Sequence, residues 1–335
     1  MNKWWISRSI PTSRYNIDTV LEELGISNTS ALIMKCYGLS LSDHYWMKPN
    51  NLEISWKDVN FFTNDFSMDF GDLVFKNELS HTEDIDLMSP DNTSDGVLQK
   101  KWIISNEKRY LVKGGSGLYN QQPYNEIIAC FIMERLKINH VAYSLYQEKD
   151  KVFSICENFL DIHTELIPAN RIYNVKAKKN HDSKYSHLLD CVNELGIDNI
   201  LDSINKMIVI DYIIANTDRH FNNFGFIRDA DTLEWIGFSP IYDSGTSLWN
   251  ESLTAIQNPT TKTFAKTHEE QVKLVTDFSW YDRDALKDIP QECYNILIKS
   301  EMNKERVEMI SEALHQRIER ISEIATNSKK PQNIY

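Results

Sequence analysis

Between Lys100 and Cys156 the apolar positions fall in short runs, whereas beyond Phe159 they recur every three or four residues over long stretches. In KKWIISNEKRYLVK, residues 100–113, the runs 102–104 and 110–112 read as short strands on either side of a polar Ser-Asn-Glu-Lys turn, which predicts a hairpin. After the glycine-rich 114–117, the run YNEIIACFIMERLKI places Ile127, Ile128, Phe131, Ile132 and Leu136 at helical spacing, which predicts an amphipathic helix. Two further strands, 142–146 and 152–156, complete a small sheet with one helix packed on it.

The second half predicts helices at 185–195, 199–216, 289–299 and 303–325, the last with Val307, Ile310, Leu314, Ile318 and Ile321 in one apolar stripe. One strand pair interrupts them, 224–227 and 233–238, turning through Arg-Asp-Ala-Asp. The polar, acidic stretch 77–95 reads as a loop. The expected division is an N-terminal segment 1–85 packing with a small lobe, the small lobe 86–158, and a helical lobe 159–335. The class is α+β.

Composition narrows the function. A chain of 335 residues, 41% hydrophobic and 25% charged, is globular and too long for one small core. Its 48 acidic against 36 basic side chains leave a net charge of −12, which argues against direct nucleic-acid binding. The longest apolar run, MIVIDYIIA at 207–215, is interrupted by Asp211 and too short to span a bilayer, so no membrane is expected. The N-terminus has no continuous apolar core of signal-peptide length, and a cytoplasmic protein is expected. Cys36, Cys130, Cys156, Cys191 and Cys293 are scattered and odd in number, which fits reduced thiols.

The sharpest chemistry lies in DYIIANTDRHFNNFGF, residues 211–226, where an apolar helix end runs into Asp218, with Asn223 five residues on and a strand after it. Phosphoryl transfer needs a carboxylate to orient and deprotonate the attacking hydroxyl, and an amide oxygen close by on a magnesium ion. In PIYDSGT, residues 240–246, Asp243 follows the strand pair and offers a second carboxylate for the metal. Singly, Asp and Asn are ordinary turn residues. In this order they specify a site. Lys113 ends the hairpin and Glu126 sits in the expected first turn of the following helix, where a strand lysine can hold phosphates and a helix carboxylate can fix it. KGGSG at 113–117 has no Gly-Lys-Ser/Thr after it and reads as a mobile loop. Asp161, His163 and Glu165, like His268, lack a partner at metal-binding spacing and read as surface or locally hydrogen-bonded residues.

These residues resemble the HipA-like serine/threonine kinases, over roughly residues 90–325. The likeness lies in Asp218-Arg-His220 to Asn223, in Tyr242-Asp243, in Lys113, in Asn125-Glu126 and in Glu157-Asn-Phe159. It implies a protein-kinase-like two-lobed fold with a small β-rich N-lobe and a larger, mainly helical C-lobe. It implies ATP and Mg2+, with Asp218 as proton acceptor, His220 and Asn223 lining the phosphates and metal, and Asp243 binding magnesium. Tyr242 and Lys113, with Glu126, join the ATP site, and Glu157 and Phe159 hold the base. Further implied are a protein substrate such as an aminoacyl-tRNA synthetase or another translation factor, a toxin role and a small antitoxin partner.

The family's flexible ATP-covering loop carries a self-phosphorylated Ser/Thr three residues before a glycine; here Thr93 precedes Gly96, with Ser94 beside it. This loop departs from the pattern, since Gln99 lies one residue further from the glycine and Asp95 stands where some members carry serine. Two other readings compete: a nucleotide-binding pseudokinase acting as a partner-binding module, and a small-molecule kinase. The first 75 residues match no derivable mechanism and are expected either to cap the small lobe or to bind a partner.

Overall fold

The computed structural model describes residues 2–76 and 85–328, which form two compact units. One comprises the described residues of 1–115, 146–166 and 228–234; the other comprises those of 116–145, 167–227 and 235–335.

The first unit contains helices α1 (Asn2–Arg8), α2 (Ile17–Glu23), α3 (Thr29–Lys35), α4 (Trp56–Val59) and α5 (Asp69–Lys76). Its strands are β1 (Lys100–Ser105), β2 (Lys108–Lys113) and β4 (Lys151–Glu157), and the unit boundary falls inside β3 (Tyr143–Glu148). The sheet order is β1-β2-β4-β3. The expected hairpin pairs Ser105 with Lys108 across Asn106 and Glu107, both at positive φ (48° and 64°), as a two-residue turn that follows the strand twist requires. The first 75 residues supply core: Ile17, Val20, Leu32, Phe70 and Val74 form one cluster. Leu39, Leu41, Phe61 and Phe66 form another, against which Trp102 and Ile104 of β1 pack.

The stretch expected as a loop is not one where it is described; residues 77–84 lie outside the described residues. A 3-10 helix, Pro90–Thr93, follows the capping residue Ser89, and 89–93 are all buried. Polar side chains can be buried there because they satisfy backbone: Asp91 accepts from the Trp102 amide (2.9 Å) and Asn92 donates to Leu87 O. Burial holds the Asp91 carboxyl up at about 7, against that hydrogen bond and the charge of Arg14.

The second unit holds α6 (Gln122–Arg135), α7 (Ala169–Tyr173), α8 (Lys184–Glu194), α9 (Leu201–Ile213), α10 (His268–Gln271), α11 (Ile289–Leu297) and α12 (Lys304–Ser328). Helix α6 is not amphipathic: apart from Phe131 every residue from Gln122 to Met133 is buried, and the helix packs on α9 and α11. The α12 stripe is buried as expected. The isolated strand pair is in fact three strands, β5 (Thr164–Pro168), β6 (Gly225–Asp229) and β7 (Trp235–Phe238), in the order β5-β6-β7, and the unit boundary falls inside β5 and inside β6. β5 gives no strand signal in the sequence because it is short, ends in Pro168 and carries a charge. That charge, Glu165, is no surface residue: it is buried and accepts from Arg228 Nε at 2.8 Å. His268 is likewise buried.

All five cysteines are buried and free. Among the described residues no helix is long and apolar enough to cross a membrane.

Candidate active site

Helix α9 ends three residues earlier than the periodicity predicts. Ala215 turns left-handed (φ 53°), its amide bonds Tyr212 O, and the Asn216 amide returns to Asp211 O at 2.9 Å. This is a Schellman stop with alanine where glycine is usual. It delivers Asn216 over the buried Asp211, to which the Asn216 side chain donates at 2.9 Å. The Asn216 side-chain oxygen accepts from the Asp218 amide (3.0 Å), so the start of the loop is pinned to the helix end.

Within the loop, Asp218 O accepts from the His220 amide (2.8 Å) and from Asn223 Nδ2 (2.9 Å). With its N–H engaged, Asn223 has its amide oxygen as the end able to face a cation. His220 Nδ1 accepts from the Asn222 amide, which leaves the ring proton on Nε2.

Arg219 organises the rest. Its Nε and Nη2 reach Asp211 at 3.1–3.2 Å with neither side chain exposed, its Nη1 donates to Asn223 O (2.7 Å) and Tyr242 O, and its Nη2 donates to Ser244 Oγ (3.0 Å). Burial disfavours the guanidinium charge, but the facing Asp211 carboxylate outweighs burial and the Arg219 pKa rises. One buried cation thus joins the loop 216–223 to the segment 242–244. In that segment Asp243 adopts a left-handed conformation (φ 56°), a strained choice for a non-glycine residue. Glu126, at the fifth position of α6 rather than in its first turn, accepts from the Ser244 amide at 2.9 Å. Asn125 donates to the carbonyls of Gly245 and Ser247, both at 2.8 Å. Gly245 passes so close to α6 that a Cβ would lie 3.2 Å from that of Gln122.

Lys262 contributes what the sequence did not announce. Its ammonium pairs with Asp218 Oδ1, and the neighbouring Thr263, fully buried, donates its hydroxyl to Arg219 O. No local spacing links Lys262 to Asp218. Asp211 did carry a signal, as a charge inside an apolar run that must be paired if the run is buried.

The remaining candidates stand in the first unit. Lys113 is buried at the end of β2, in register with Ser154. Glu157 is half exposed and pairs with Lys108 at 2.8 Å; Phe159 follows Asn158, whose amide donates to Arg109 O. Thr93 and Ser94, expected on a flexible loop, are tied down. Thr93 donates its hydroxyl to Leu39 O (2.7 Å), while Arg14 donates to Ser94 Oγ (2.8 Å) and to Gly96 O (2.9 Å).

The donors fit a magnesium ion: a carboxylate on Asp243 and an amide oxygen on Asn223 are hard oxygen ligands, and magnesium takes few protein ligands when phosphate and water complete its shell. Among the described residues there is no group of three or more His, Cys, Asp or Glu side chains arranged for a metal.

The α+β architecture and this grouping define a kinase-like protein. Residues 93–320 match the HipA-like C-terminal domain, and the chain belongs to that family. It is similar to the serine/threonine-protein kinase CtkA of Helicobacter pylori strain J99, 25% identical over 140 residues, or 40% of this chain and 43% of that relative. The matched stretch is therefore under half the length of that relative. In fold it resembles the crystal structure of the Helicobacter pylori proinflammatory kinase CtkA, with a TM-score of 0.52 and 20% identity over 68% of this chain and 94% of that one. It also resembles a chain from the Shewanella oneidensis MR-1 complex of HipA, HipB and operator DNA, with a TM-score of 0.55 and 14% identity over 96% of this chain and 87% of that one.

Proposed function

We propose that the chain is an ATP- and Mg2+-dependent serine/threonine protein kinase that transfers the γ-phosphoryl group to a protein hydroxyl. The observation that carries the reading is the buried Asp211–Arg219 pair, which fixes the Asp218–Asn223 loop and the Asp243 segment on one guanidinium. Asp218 accepts the proton of the attacking hydroxyl. Asn223 and Asp243 hold the metal, with His220 and Tyr242 beside the phosphates. Magnesium, when bound, neutralises charge on the phosphate oxygens. Glu126 supports the Asp243 segment through the Ser244 amide. By family resemblance Lys113, Glu157 and Phe159 bind nucleotide, and Thr93, with Ser94, is the self-phosphorylation site.

The Shewanella neighbour's complex with HipB supports a small antitoxin partner for this chain, and a translation factor such as an aminoacyl-tRNA synthetase is the proposed substrate class. A cytoplasmic location goes with that role. The test is mass spectrometry of the native chain and of Asp218→Asn after incubation with ATP and magnesium. Phosphate on Thr93 or Ser94 of the native chain alone supports the reading; no phosphate on either, with no nucleotide bound, refutes it.

A further inference from the structure

Asp218 meets a cation from a part of the chain with no sequence relation to it. Lys262 lies in a turn closed by the bridge between Thr260 and Thr267 and by the Thr261 amide on Lys266 O at 3.0 Å. The turn is fastened to the catalytic loop twice: Thr263 bonds Arg219 O, and the buried Phe264 ring contacts Phe221 (5.8 Å) and Phe224 (6.2 Å). Releasing it would take from the Arg219 carbonyl the hydroxyl from which it accepts. These two contacts hold the backbone that carries Lys262 against the catalytic loop independently of the ion pair. The pair itself is partly exposed, with the lysine side chain at 61% and the aspartate at 30%, and such pairs contribute little to stability.

Resting on the kinase reading, we propose that Lys262 is a catalytic residue that contacts the transferring phosphoryl group. In the transfer the acceptor oxygen bonds to the γ-phosphorus as its proton passes to Asp218. The bond from phosphorus to the β–γ bridging oxygen breaks, and its electron pair leaves on ADP. The acceptor oxygen must lie within about 3 Å of the Asp218 carboxylate, and the phosphorus roughly 3–3.5 Å beyond it. Both positions are within reach of an ammonium on a four-carbon stem already touching that carboxylate. Charge then gathers on the equatorial phosphoryl oxygens, where a preplaced cation acts most strongly.

The experiment compares the native chain, Lys262→Met and Lys262→Arg in turnover and in calorimetric binding of Mg-ADP with and without aluminium fluoride, which mimics the phosphoryl in flight. Lys262→Met is expected to bind Mg-ADP as the native chain does, but to lose about a hundredfold both in turnover and in affinity for the fluoride complex, with partial recovery in Lys262→Arg. Unchanged affinity for the fluoride complex, or faster turnover in Lys262→Met, overturns the assignment and makes Lys262 a bystander or a latch. A native chain that binds neither complex refutes the kinase reading itself, and the assignment with it.

Discussion

Asp211 and Arg219 face one another with no solvent on either side chain, and the same guanidinium carries the carbonyls of Asn223 and Tyr242. Electrostatics, packing and site geometry meet in this contact. Removing one member of a buried pair leaves an uncompensated charge, at a cost of about 3–5 kcal/mol. Arg219→Met is expected to lower stability by at least about 3 kcal/mol, read as the shift in urea midpoint at unchanged slope. The companion Asp211→Leu with Arg219→Met should be less destabilised than the sum of the singles, because no charge is then left behind. Additive losses would show that the two side chains act independently.

Gly225 opens β6 directly after the loop, and a Cβ there would lie 2.5 Å from Ile167 O and 3.0 Å from the Pro168 Cα. Both obstacles are backbone, so neither can rotate away. Gly225→Ala is expected to destabilise by roughly 1–3 kcal/mol through overpacking and to weaken magnesium-nucleotide binding by moving Asn223. An alanine variant with native melting and binding would show that β5 and β6 can separate at little cost.

Much of this site was legible because its parts are local. Asp218 and Asn223 lie on one short loop, Asp243 follows the next strand pair, and a hydroxyl-activating carboxylate with metal donors needs that spacing. The contacts of Arg219 and Lys262 were not legible, since one reaches backbone carbonyls and the other arrives from 44 positions downstream. Helix α6 was misread as amphipathic because periodicity marks an apolar face but cannot show that α9 and α11 cover the helix's polar positions as well. The segment 85–95 was misread because polar composition usually marks solvent, whereas Asp91, Asn92 and Thr93 are buried on backbone partners.

The Arg14 contacts tie Ser94 and Gly96, both partly buried, to the first unit. Arg14 is buried, which pulls its pKa down to about 10, and it spends three donors on Ser94 and Gly96. Arg14→Met is expected to cost about 1.5–3 kcal/mol and to speed amide exchange across 94–99 at least about tenfold more than in β1. Since the Thr93 hydroxyl is engaged with Leu39 O, phosphate addition there requires local opening, and the same variant should be self-phosphorylated faster. Exchange rates equal to native would show that other contacts hold the segment.

His268 gives the fold an acid sensitivity whose sign can be worked out. Burial and then the charge of the nearby Arg317 push its pKa down from 6.5 to about 3, so the folded ring stays neutral where an unfolded chain's histidine is protonated. Between those values the unfolded state binds the extra proton, and stability rises with pH. The contribution is complete above about 6.5 and is lost as the pH falls toward 3, at up to ~1.4 kcal/mol per unit. Asp91 opposes it: its carboxyl, raised from 3.8 to about 7, keeps a proton in the fold that the unfolded chain has lost, so stability from that group declines as pH rises through the same window. The native profile alone therefore sums two slopes of opposite sign. Subtracting the profile of His268→Gln removes the Asp91 share, and the remaining difference between pH 7 and pH 5 should be roughly 2 kcal/mol in urea unfolding. A difference profile flat over that range would mean that His268 is protonated in the fold, with Glu269 beside it able to take up the charge.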